Sequence, residues 1–132
     1  PIETAVIEFW HADPTTVLAE DLDRTVPSHS VDYDRTSGRY KYYGQMASDA
    51  AGQYALRTKK PGWYLNGSKF RPSHIHVKVY VAGVERLTSQ LYFAGDPCIP
   101  DDPWASVAPE RAVVLTESGP GEVSGTFDLV LS

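Results

Sequence analysis

His74-Ile75-His76-Val77-Lys78-Val79-Tyr80-Val81 alternates without a break between polar or aromatic residues and aliphatic ones. Successive side chains of a β-strand point to opposite faces, so this run predicts a strand with Ile75, Val77, Val79 and Val81 on one face and His74, His76, Lys78 and Tyr80 on the other. The aliphatic face reads as core, the histidine face as the wall of a polar site. Two imidazoles at i and i+2 can reach one ion, and imidazole suits zinc, copper, iron or nickel, so the pair selects no metal by itself. Histidines so placed also occur as ordinary half-exposed residues of a sheet.

Outward from this run, further strand-like stretches lie at Thr4–Trp10, Arg39–Ser48, Gln53–Thr58, Arg86–Phe93, Arg111–Thr116 and Val123–Leu131, punctuated by glycine and proline. Short strands at this spacing predict an all-β fold, an antiparallel β-sandwich with little helix, whose turns use the 10 prolines and 10 glycines. Thr15–Leu22 could form one short helix. Residues 48–54 read as a hairpin connection, 94–104 as an ordered loop and 117–125 as a flexible one. Ala19–Arg35, rich in charge, reads either as a lid or as a solvated loop. Nothing divides the 132 residues, so 1–132 is expected to be a single domain, large enough for a core without disulfides.

Composition narrows the partners. A net charge of −5 with dispersed lysines and arginines offers no basic patch for nucleic acid or an anionic membrane surface. No apolar stretch approaches membrane-spanning length, and no secretory signal stands at the amino end, which makes the cytoplasm the expected compartment. Cys98, the single cysteine, has no intramolecular partner and reads as a loop thiol rather than a nucleophile.

Upstream of the histidines stand Pro61-Gly62-Trp63-Tyr64 and Arg71-Pro72-Ser73. Tyr64 adds a phenol to the two imidazoles. With an ordinary pKa of about 10, a phenol stays ionised at neutral pH only beside a strong Lewis acid, and a hard ion such as Fe(III) meets that need. Taken alone, Tyr64 could equally be an amphipathic residue at a loop edge. Gly62 permits a tight turn, while Pro61 and Pro72 stiffen the approaches.

Four segments, EFWHAD (8–13), SDAAGQYALRTKKPGWY (48–64), RPSHIHVKV (71–79) and LTSQLYFAGDP (87–97), resemble in order the signatures of the intradiol ring-cleavage dioxygenases, the catechol and protocatechuate dioxygenase group. The resemblance covers most of the chain. It implies a non-haem Fe(III) held by two tyrosinates, two histidines and a solvent-derived oxygen. By residue-wise match His74 and His76 are the histidine ligands, and Tyr64 is the tyrosine that yields when a catechol binds. Arg71 matches the arginine that stabilises charge developing on the ring, and Gln90 the polar residue behind the histidines. Pro1-Ile2-Glu3-Thr4-Ala5-Val6 resembles the middle of the family's domain, so an N-terminal portion is expected to precede it, and a secreted origin stays open.

One position departs from the pattern. The family's other tyrosine falls eight residues after the tryptophan matched by Trp10, and that place holds Leu18, which cannot ligate a metal. Either another tyrosine substitutes, or the iron has fewer protein ligands, or the domain is a degenerate copy. Tyr33 is the first choice as substitute, ahead of Tyr43 and Tyr40, because it precedes the Tyr42-Tyr43-Gly44 segment. Loss of the second phenolate would leave net positive charge in a partly desolvated site and make iron easier to reduce.

The resemblance implies an oxidoreductase that binds a catechol through both oxygens, uses O2 and opens the ring to a cis,cis-muconate-type diacid. A non-catalytic β-sandwich binding module, or the inactive subunit of a hetero-oligomeric dioxygenase, is the alternative. A zinc or copper site on the same face is a third reading. Homo- or hetero-oligomerisation and the choice of catechol stay open.

Overall fold

The computed structural model describes residues 4–11, 33–34, 39–40, 42–66 and 69–131; for residues 33, 34, 39, 40, 64–66 and 69 it describes the backbone only. The expected helix at Thr15–Leu22, Leu18 and most of the 19–35 segment lie outside the described residues. So do the side chains of Tyr33, Tyr40 and Tyr64.

The fold is all-β, as expected. Its main sheet holds β1 (Val6–His11), β4 (Tyr42–Ala47), β7 (His74–Val81), β8 (Val84–Phe93) and β9 (Ala112–Val113), in the order β4-β1-β7-β8-β9. All neighbours are antiparallel except β8 and β9, which run parallel. Three two-stranded ribbons accompany it: β2 (Tyr33–Asp34) with β3 (Arg39–Tyr40), β5 (Tyr64–Asn66) with β6 (Lys69–Arg71), and β10 (Thr116–Gly119) with β11 (Glu122–Ser124). Helical geometry among the described residues is confined to a single 3-10 turn, Pro109–Arg111.

Strand β7 has the bounds its alternation predicts. Ile75, Val77 and Val79 are buried and join Ile7, Phe9, Leu91, Phe93 and Val113 in one apolar cluster, with Val77 fully inaccessible. The β7–β8 connection is the two-residue turn Ala82–Gly83, with φ of 51° and 77°. Positive φ at both positions gives the turn the twist that the flanking strands need. A bulge at Val79/Tyr80 absorbs the remaining mismatch.

Two expected strands are corrected. Over 53–58 and 125–131 no strand forms among the described residues, yet burial still alternates: Tyr54, Leu56, Phe127, Leu129 and Leu131 pack against the cluster while their neighbours face out. Side-chain periodicity in these segments satisfies the core without a backbone ladder. Tyr54 Oη instead donates to the Phe127 carbonyl at 2.6 Å and joins the two segments directly. The layer facing the main sheet is thus built from extended segments. The Arg111–Thr116 run is also divided, between the 3-10 turn, β9 and the start of β10. The expected flexible loop at 117–125 is a hairpin instead, turning at Gly121, whose φ is 70°. The expected connection at 48–54 is a turn in which the Asp49 carboxylate accepts from Ala51 N and Gln53 N. The expected loop at 94–104 is ordered by buried Asp96 and Asp102.

Candidate metal centre

Sheet register places the site. Tyr43, Trp10, His76 and Gln90 are partners in one row across β4, β1, β7 and β8, and His74 lies opposite Tyr92 in the next row on the same face. Trp10 stacks on the His76 ring at a 5.0 Å centroid separation and 5° between planes. The His74 and His76 rings meet edge to face with centroids 4.9 Å apart. His11 is different: it is buried on the core face, stacks on Tyr42 and bonds Thr58 Oγ1 at 2.8 Å. That histidine is structural.

His74 has a defined tautomer. Its Nδ1 lies 2.7 Å from the Pro72 carbonyl, which can only accept, so Nδ1 carries the proton and Nε2 carries the lone pair. Burial pushes the His74 pKa down to about 3, helped by the Arg71 cation, and burial with Arg71 takes His76 to about 4. Both rings are therefore neutral at physiological pH, the form in which imidazole binds a metal.

Arg71 lies at the end of β6 and is buried beside them. Its Nε donates to Asp102 Oδ1 at 2.9 Å, its Nη2 donates to Gln90 Oε1 at 2.8 Å and Asp102 Oδ2 at 3.3 Å, and its Nη1 approaches His74 Nε2 at 3.2 Å. Gln90 Oε1 also accepts from the Tyr92 hydroxyl at 3.0 Å. Trp104, half exposed, covers the guanidinium with its ring centroid 4.6 Å away. Burial raises the pKa of Asp102, but the bonds from Arg71 and from the Ala105 and Trp104 amides together outweigh it and leave the carboxyl below its ordinary range. Removing either member of such a buried pair strands the other charge, a cost of about 3–5 kcal/mol.

The backbone leading into the histidines is held as firmly. Asp96 Oδ2 accepts from Trp63 Nε1 at 2.8 Å and Ser73 N at 2.9 Å, Asp96 Oδ1 accepts from Cys98 N at 2.9 Å, and Ser73 Oγ donates to the Pro61 carbonyl at 2.6 Å. The segments before Tyr64 and before His74 thereby meet at one carboxylate. Burial, reinforced by Asp96, pushes the Cys98 thiol up to about 12, which agrees with its reading as an inert loop thiol.

His74, His76, Arg71 and Gln90 are thus gathered in one cluster. The Tyr64 backbone pairs with Arg71 across the β5–β6 ribbon, which the sequence did not predict, and Tyr33 pairs with Tyr40 in β2–β3. Asp102, Asp96 and Trp10 were not singled out as site residues. Two aspartates in a proline-rich loop carry no periodic signal, and only their burial distinguishes them from solvated charge.

A chlorocatechol 1,2-dioxygenase from Pseudomonas sp. (strain P51) is 28% identical over 137 residues, covering 93% of this chain and 50% of that protein. A protocatechuate 3,4-dioxygenase beta chain from Burkholderia cepacia is 30% identical over 116 residues, covering 85% and 46%. The chain therefore spans about half the length of these relatives. A solved structure, the dioxygenase domain of a dioxygenase–carbohydrate-binding protein fusion from Streptomyces sp. SirexAA-E, superposes with a TM-score of 0.74 at 32% identity, covering 99% of this chain and 70% of that one. A family model described as "Dioxygenase" matches residues 1–132, which sets the class. The chain belongs to the intradiol ring-cleavage dioxygenase family.

Proposed function

We propose that this chain carries the Fe(III) centre of an intradiol dioxygenase that opens catechol-type rings with O2 to cis,cis-muconate-type diacids. The observation that carries the reading is the neutral His74–His76 pair packed against a buried arginine, in a chain whose family uses non-haem iron.

The donor set fits such an ion. His74 offers Nε2 because Nδ1 is committed to Pro72, and a metal at Nε2 would take the lone pair that Arg71 Nη1 now contacts. Arg71 would surrender that contact and keep its bonds to Asp102 and Gln90. Among the described residues no third histidine, cysteine or carboxylate joins the pair to hold a metal; the family resemblance gives the anionic donors as tyrosines, Tyr64 first, with Tyr33 as the substitute for the second. Bound Fe(III) would make the chelated catecholate ring reactive toward O2.

The remaining chemistry falls to the chain. The Tyr64 phenolate takes a proton from the incoming catechol as a base. Arg71 presents a cation where negative charge develops on the ring, in a site dry enough for that charge to count. Gln90 keeps the guanidinium beside the histidines, and Trp10 sets the plane of His76. The names of the relatives support a catechol or chlorocatechol as substrate, and the beta-chain relative supports assembly with a second, different subunit. No helix among the described residues is long and apolar enough to cross a membrane.

Leu18 favours a second reading, the non-catalytic module or inactive subunit. Metal analysis with a visible spectrum, before and after anaerobic catechol, separates the two. Near-stoichiometric iron and a tyrosinate band that shifts with catechol are expected. A protein that stays colourless after reconstitution with iron would establish the non-catalytic reading.

A further inference from the structure

Arg71 is useful to the proposed reaction only if its cation has a fixed direction. A guanidinium on a long side chain has several rotamers, and packing alone does not choose among them. Its polar partners are Asp102, in the loop after β8, and Gln90 and His74 on the sheet. Asp102 accepts Arg71 Nε on Oδ1 and Arg71 Nη2 on Oδ2, a two-point contact that fixes the plane of the guanidinium. Gln90 takes the other side of Nη2. Nη1 is thereby left turned toward His74, on the face where substrate would arrive. Trp104 closes the outer face of the cation against water.

Resting on the dioxygenase reading above, we propose that Asp102 is the positioning residue for Arg71, holding Nε and Nη2 so that Nη1 stays directed at the metal-binding face. Asp102 also caps its own turn, because Oδ2 accepts from Trp104 N at 3.2 Å and Ala105 N at 2.8 Å. The two roles can be separated. An asparagine can keep its carbonyl oxygen on the Trp104 and Ala105 amides, but its NH2 group then faces Arg71 Nε, donor against donor. Asp102→Asn therefore retains the cap and loses half of the clamp.

The test begins with wild-type protein loaded with Ga(III), a diamagnetic substitute for Fe(III), in 15N NMR. The Arg71 Nε–H, assigned by its disappearance in Arg71→Lys, should be a slowly exchanging resonance, and a freely exchanging Nε–H in wild type would overturn the proposal. In Asp102→Asn the slow resonance should be lost while iron content stays at the wild-type level. In the iron-loaded variant kcat for catechol should fall about 10²-fold, the cost of a misplacement near 1 Å, with little change in KM. Asp102→Glu keeps the charge on a longer arm and should lie between the two, and it serves as the second variant should the asparagine protein fail to fold. Full kcat in either folded variant whose Nε resonance is lost would overturn the proposal and leave Asp102 only its cap. A wild-type protein that opens no catechol ring would instead sink the dioxygenase reading, and the resonance and its loss in Asp102→Asn would still decide the clamp.

Discussion

Strands β7 and β8 present two surfaces whose side chains obey different rules. On one, Ile75, Val77, Val79, Leu91 and Phe93 are aliphatic or aromatic, and what matters about each is its volume. On the other, His74, Gln90 and Tyr92 each matter through one or two atoms whose partners can be named, and His76 through its stack on Trp10. A change on the first face should spread its effect over the whole fold and spare the chemistry. A change on the second should do the reverse, and the two can be pulled apart by mutation.

The largest effects are expected on the histidine face. His74→Ala or His76→Ala should abolish iron binding as measured by metal analysis of folded protein, and full iron with full activity in either would remove that residue from the site. On the opposite face Phe9→Ala should cost about 3–5 kcal/mol of stability in denaturant titration while the iron retained by the folded fraction keeps its spectrum. A spectrum altered as much as by Tyr64→Phe would break the division between the faces. Tyr64→Phe should keep some iron, shift its visible band and slow ring opening; Tyr33→Phe should shift the band only if Tyr33 is the substitute ligand. Smallest of all, Arg57→Ala, which deletes a solvent-exposed pair with Glu122, should move stability by less than about 0.5 kcal/mol and leave the site untouched.

Acid sharpens the same contrast. Both imidazoles have folded-state pKa values below 6.5, at about 3 and about 4, so between those limits the unfolded chain binds more protons than the folded one. Stability of the metal-free protein should therefore be lost as pH falls from about 6.5 toward 4 and 3, and this should be visible in melting temperatures. His74→Gln should flatten that slope, whereas Phe9→Ala should lower the whole curve without changing its shape in that window.

What was legible in the sequence follows the same line. Strand β7 could be read because every second residue reports its face, whereas Gln90 was placed behind the histidines by the family resemblance, and the register pairs it with His76. Alternation was equally visible at 53–58 and 125–131, but alternation reports burial and not hydrogen bonding, so strands were expected where extended segments lie. The β5–β6 ribbon was missed because Tyr64–Asn66 and Lys69–Arg71 are three residues each, too short for a period to register. Asp96 and Asp102 were passed over because a carboxylate in a proline-rich loop reads as solvated, and the N–H groups that bury it come from residues up to 33 positions away.

Asp96 has a consequence for how accurately the centre is made. Trp63, Ser73 and Cys98 each bond the same carboxylate, so their positions share one datum. Errors in parts dimensioned from a shared datum do not accumulate along the chain of parts. Insertions between residues 73 and 96, at the exposed Ala82–Gly83 turn for instance, should then be tolerated with no loss of alignment at the other end of the strands.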